Sequence, residues 1–115
     1  MRLHRKERLS SLIREELALM FAREIELPGV LPTITDVVVD DDHSHATVRV
    51  SFFPSDTSER SLKIIQNELP RFEHMLWKKL GVRPMPHLTA HLDRGPENAA
   101  KVEKALLENK IESSE

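Results

Sequence analysis

PTITDVVVDDDHSHATVRVSFFP, residues 32–54, reads as two β-strands folded back on each other through an acidic turn. In its second half Ala46, Val48, Val50 and Phe52 alternate with Thr47, Arg49, Ser51 and Phe53, the period-two pattern of a sheet with one buried side. The first half, Thr33 to Asp40, is rich in Val, Ile and Thr, side chains that suit a pleated surface. Asp40, Asp41, Asp42, His43 and Ser44 form the turn, because Asp and Ser side chains bond nearby backbone groups in competition with a continuing ladder. A hairpin alone is marginal in water, so its apolar face needs a cover. The flanking sequence supplies helices.

Upstream, the three- and four-residue spacing of Leu9, Leu12, Ile13, Leu17, Met20 and Phe21 predicts a helix from about Leu3 to Ile25, stopped by Pro28-Gly29. Downstream, Ser55, Asp56 or Thr57 is expected to supply an N-cap oxygen to a second helix, whose stripe is Leu62, Ile65 and Leu69, widened by Ile64. Pro70 lacks a backbone donor and biases Leu69 away from helical geometry, which predicts a bend there. A third helix then runs from Arg71 to Leu80, with Phe72, Met75, Leu76 and Leu80 on one side and Gly81 placed to end it. Val82–Pro86 connects to a third strand, His87 to about Asp93, with Leu88, Ala90 and Leu92 inward and His87, Thr89 and His91 outward. The expected organisation is one α+β domain over residues 1–95 and a weakly helical tail over 96–115.

A length of 115 residues fits one domain with a real core. The chain has no cysteine, which removes disulfides, thiolate metal sites and a cysteine nucleophile. Its longest apolar run, Leu17 to Ala22, is far short of the roughly 20 residues of a membrane span. The N-terminus lacks the apolar core of a secretory signal, so a soluble, cytoplasmic protein is expected. The formal net charge of -2 conceals basic regions: residues 1–25 hold six Lys/Arg against four Asp/Glu, and residues 60–83 hold six against two. Such separation is compatible with docking on a polyanion through one face.

Catalytic and metal chemistry find little support. His43 and His45 make one pair and His87 and His91 another, but residues four apart on a strand stand roughly 13 Å from each other, too far for one ion. Asp40-Asp41-Asp42 lacks the spacing and the glycine of a calcium loop, and there is no nucleophile elbow or Gly-rich phosphate loop. No catalytic residue, metal or cofactor is assigned. Phe72 and Trp77 are candidates for stacking on bases, but with both inside an amphipathic helix the favoured expectation is packing in the core or against a helix.

The order helix, strand, strand, helix, helix, strand resembles the type II KH fold, α-β-β-α-α-β with a three-stranded sheet packed on helices. The segments RKERLSSLIREELA (5–18), TDVVVDDDHSHATVRVSF (35–52) and MPHLTAHLD (85–93), the last with its upstream LGVR, resemble ribosome-binding factor A of bacteria over roughly residues 2–94. The resemblance implies a non-enzymatic assembly factor that binds the small (30S) ribosomal subunit during late maturation of its 16S rRNA, with a role after cold shock. Members of that family carry an Ala-x-Gly bend in place of the GxxG loop of ordinary KH domains; the aligned positions here are Glu68-Leu69-Pro70, a departure from the pattern. The basic residues expected to contact RNA are Arg2, Arg5, Lys6 and Arg8 at the N-terminus and Lys63, Arg71, Lys78, Lys79 and Arg83 around the second and third helices. The protein is expected to act as a monomer, without membrane association. The rival reading is a small protein-interaction module that dimerises through an exposed sheet edge and binds no RNA.

Overall fold

In the computed structural model, which describes residues 5–113, the elements in order are α1 (Arg5–Glu24), β1 (Leu31–Val39), β2 (His45–Phe53), a 3-10 turn at Ser55–Thr57, α2 (Ser58–Leu80), β3 (His87–Leu92) and α3 (Gly95–Ser113). The residues before Arg5, including Arg2 and the expected helix start at Leu3, lie outside the described residues. The sheet order is β1-β2-β3, with β1 antiparallel to β2 and β3 parallel to β2, the crossover being made by α2. This is the α+β, type II KH-like arrangement.

One face of the sheet is buried. Ala46, Val48, Val50 and Phe52 of β2 and Leu88 and Ala90 of β3 point into it, as their alternation requires. Against them pack Leu9, Ile13, Leu17, Met20 and Phe21 of α1 and Ile65, Leu69, Phe72 and Leu76 of α2. α1 lies over β1 and α2 over β3. Two hydrogen bonds register this packing: Val39 N–H donates to Ser10 Oγ at 3.3 Å, and Gln66 Nε2 donates to Ala90 O at 3.2 Å. Glu73 Oε2 accepts from Leu88 N–H at 3.4 Å. Gln66 and Glu73 thus occupy backbone groups along the outer edge of β3, which would otherwise be open to strand addition.

Buried residues on β1 fall at Ile34, Val37 and Val39, which breaks the strict alternation. The cause is a β-bulge between Ile34 and Asp36, where the register slips by one residue and Thr35 is the extra one. Thr35 Oγ1 donates to Asp93 Oδ2 at 2.6 Å, joining the bulge to the end of β3.

The helical segments expected on either side of Pro70 are both present, but they join without a break in one helix of 23 residues, Ser58–Leu80, with Pro70 inside it. Ile65, Leu69, Phe72 and Leu76 form a single buried stripe across the proline, and Pro70 itself is exposed. Continuous burial therefore outweighs the missing backbone hydrogen bond, a loss of about 3 kcal/mol in a helix interior. Gly81 ends the helix at φ 63°, as expected. Its start differs: Thr57 Oγ1 donates to Pro54 O at 2.7 Å, and no side chain caps the first turn, which is entered through the 3-10 turn. Leu12 and Ile64, expected in the apolar stripes, are exposed.

α1 and α2 run antiparallel. Glu16 meets Lys79, Phe21 meets Phe72 and Glu24 meets Arg71, so positions rise along one helix as they fall along the other. Every described side chain of α3 is exposed, and the radius of gyration of 17.3 Å exceeds the ~13 Å of a compact domain of about 100 residues.

Candidate nucleic-acid interface

The outer face of α2 carries Arg60, Lys63, Asn67, Arg71, His74 and Lys78 at three- and four-residue intervals, all exposed. Eighteen residues of helix span about 27 Å at ~1.5 Å per residue. The core stripe on the opposite side fixes this orientation. Between Arg60 and Lys78 the acidic residues are Glu68 and Glu73, and both are engaged. Glu68 Oε2 accepts from Arg71 Nε at 2.8 Å, while Glu73 Oε2 lies 3.3 Å from His87 Nδ1 and accepts from the Leu88 amide. Arg60, Lys63 and Lys78 form no ion pair among the described residues.

Two other basic residues of this region are held by carboxylates. Arg71 is bound by Glu68 at 2.7 Å and by Glu24 of α1 at 3.3 Å, and its guanidinium carbon lies 5.0 Å from the centre of the Phe72 ring. These hydrogen bonds raise its pKa above the ordinary arginine value. Lys79 Nζ stands 2.7 Å from Glu16 Oε2, a buried oxygen with no other partner. Arg71 and Lys79 therefore stitch α1 to α2.

Beyond the C-terminal end of α2 lies a cleft of about 540 Å³, lined by Arg5, Lys6, Glu7, Asp41, Asp42, His43, Arg83 and Pro84. The fold brings Arg5, Lys6 and Arg83 together here; Arg8, exposed on α1, does not line it. Lys6 Nζ meets Asp41 Oδ1 at 2.7 Å, which raises the lysine pKa and lowers that of the carboxyl. Asp42 Oδ1 accepts from Ser44 Oγ at 2.7 Å and Ser44 N–H at 3.0 Å, so its pKa is also lowered. His43 holds the turn at φ 60°.

The family description "Ribosome-binding factor A" matches residues 5–106 of the chain. The chain belongs to the ribosome-binding factor A family. A ribosome-binding factor A from Pseudomonas paraeruginosa is 32% identical, over 96% of this chain and 93% of its own length. In fold, the chain is similar to the crystal structure of ribosome-binding factor A from Thermus thermophilus, with a TM-score of 0.68 and 24% identity over 78% of this chain and 97% of that one. It is also similar to the Thermus thermophilus ribosome-binding factor A coordinates fitted into a cryo-EM map of a 30S complex, with a TM-score of 0.56 and 24% identity over 79% of this chain and 93% of that one. No catalytic activity is part of the family's name.

In this family member, Glu68-Leu69-Pro70 contributes a carboxylate tied to Arg71, a buried leucine and an exposed proline within continuous helix. The histidines do not stay in their sequence pairs. His45 and His87 are cross-strand neighbours with ring centres 5.9 Å apart, edge to face, beside Ser44 and Glu73. Among the described residues no group of three or more His, Cys, Asp or Glu side chains is disposed to hold a metal ion. Among them, too, no helix is long and apolar enough to cross a membrane.

Trp77 corrects a sequence expectation. Phe72 is fully buried, but Trp77 is 38% exposed and lies face to face with His74, ring centres 5.9 Å apart at 28°. The signal was in the helical phase: Phe72 and Leu76 share the core side, and one residue further rotates the side chain by about 100°. Arg60 and His74 were likewise outside the expected set, although both fall on the phase of Lys63 and Lys78.

Proposed function

We propose that this protein is a non-enzymatic assembly factor that docks on the small (30S) ribosomal subunit in the cytoplasm and assists late maturation of 16S rRNA. The observation that carries this reading is the outer face of α2, where exposed Arg60, Lys63 and Lys78 form no ion pair among the described residues and lie on a face fixed by the core behind it. Family membership points the same way, as does the 30S complex into which the Thermus thermophilus coordinates were fitted. Structured RNA is read largely through shape and phosphate, which asks of the protein a stiff cationic surface and no reactive group. Arg5 and Arg83 extend that surface past the end of α2, while Lys6, the third basic residue of the cleft, is held by Asp41. Residues 1–95 form the RNA-docking domain in this reading, and 96–115 an appendage to it.

The test is co-sedimentation of the purified full chain with isolated 30S subunits over a range of salt. Binding at low salt that falls steeply as salt rises is expected, because each phosphate contact releases counterions. No binding at low salt, or binding indifferent to salt, contradicts the proposal.

A further inference from the structure

We propose that His74 and Trp77 form a stacking platform for an unpaired nucleobase, so that RNA seated on α2 presents a single-stranded or extruded nucleotide at this point. The inference rests on the RNA-docking reading above and assigns it a base-contacting site.

Trp77 is the chain's single tryptophan, and a large indole on a core-building helix is ordinarily buried. Here it stays partly in water and lies nearly parallel to the His74 ring. Pro70, one turn before His74, is exposed on the same side and lengthens the strip of flat side chains. Lys78 adjoins the indole in sequence, so a cation is available to a phosphate beside a stacked base, and Lys63, about 21 Å back along the helix at ~1.5 Å per residue, is available to the strand further on. Glu73, the acidic residue nearest in sequence, is turned away toward His87 and Leu88. The surroundings favour a nucleotide over a protein partner. The centre of a protein interface is depleted of charge, whereas this ring pair lies among Asn67, Arg71 and Lys78. Aromatic rings amid cations are how proteins hold single strands, because every base offers a flat face whatever its identity.

With one tryptophan and no tyrosine, the chain's intrinsic emission reports on Trp77 directly. The full-length protein is titrated with a short single-stranded oligoribonucleotide, the same strand in a duplex, and the same strand carrying abasic residues. Quenching by the single strand and little by the other two is expected. Trp77→Ala should weaken single-strand binding on the order of ten-fold with an unchanged salt slope, and Trp77→Phe should restore most of it. Salt-dependent binding with unaltered emission, equal quenching by duplex or abasic strand, or full affinity in folded Trp77→Ala overturns the stacking site while leaving the docking face standing. Absence of any binding by the wild type at low salt overturns both. The emission experiment needs no variant, so misfolding of Trp77→Ala would not shelter the proposal.

Discussion

Lys78 and Lys79 are adjacent in sequence and opposite in circumstance. Lys79 neutralises a Glu16 oxygen that has no other partner, with the Glu16 side chain only 17% exposed, whereas Lys78 makes no ion pair among the described residues. Removing one member of a partly buried pair strands the other. Lys79→Ala is therefore expected to cost about 1 kcal/mol, a fall in Tm of roughly 4–8 °C for a domain of this size, with Lys78→Ala close to wild type. Thermal denaturation followed by circular dichroism checks this, and equal Tm values for the two variants would refute it. Asp93 offers a second prediction. Its carboxylate accepts from Thr35 Oγ1 and from the Gly95 amide at 2.8 Å, which holds its pKa below the ordinary carboxylate value. A depressed pKa means that the folded state favours the ionised form. That stabilisation is complete above the ordinary carboxylate range and is lost as pH falls through it to the folded-state pKa. Asp93→Asn should lower the neutral plateau of a Tm-against-pH curve and make its acid limb shallower, so that the curve approaches wild type at low pH; an unaltered acid limb would show that the contact carries no linkage.

At the scale of elements, α2 holds most of the interest. Its apolar stripe continues through Pro70 and keeps the chain helical where local chemistry alone calls for a bend. Pro70→Ala restores the backbone donor toward the carbonyl of Gln66 and removes the ring clash, so a stabilisation of about 1–3 kcal/mol is expected by urea denaturation. A destabilised variant would mean that the proline relieves strain in the helix. The strands were legible because their alternation is regular: Ala46, Val48, Val50 and Phe52, and Leu88 and Ala90, are buried as read. β1 was less so, because a bulge at Thr35 depends on a tertiary partner, Asp93, that no local pattern announces. Continuity across Pro70 was hidden for a related reason. The propensity of one residue is local, but the burial that overrules it involves the whole sheet.

For the molecule as a whole, the fold turns one side of α1, α2 and the sheet inward and leaves the outer face of α2 and the cleft beyond it as charged surface. Which residues are basic, and that they concentrate around α1 and α2, was plain from the sequence. Which of them are free was not. Lys79 and Lys6 find their carboxylates 63 and 35 residues away, at Glu16 and Asp41, and Arg71 adds Glu24, 47 residues away, to its local partner Glu68, so these cross-element pairings exist only once the elements are packed. The account's central claim is that unpaired cations on α2 meet RNA phosphates while paired ones hold the helices together. The measurement that tests it is the slope of log affinity for 30S subunits against log salt, in wild type, Lys63→Gln/Lys78→Gln and Lys79→Gln. The double variant should lower the magnitude of the slope by about two while keeping its Tm, and Lys79→Gln should keep the slope while losing Tm. An unchanged slope in the double variant, or an equal loss in Lys79→Gln, would contradict it.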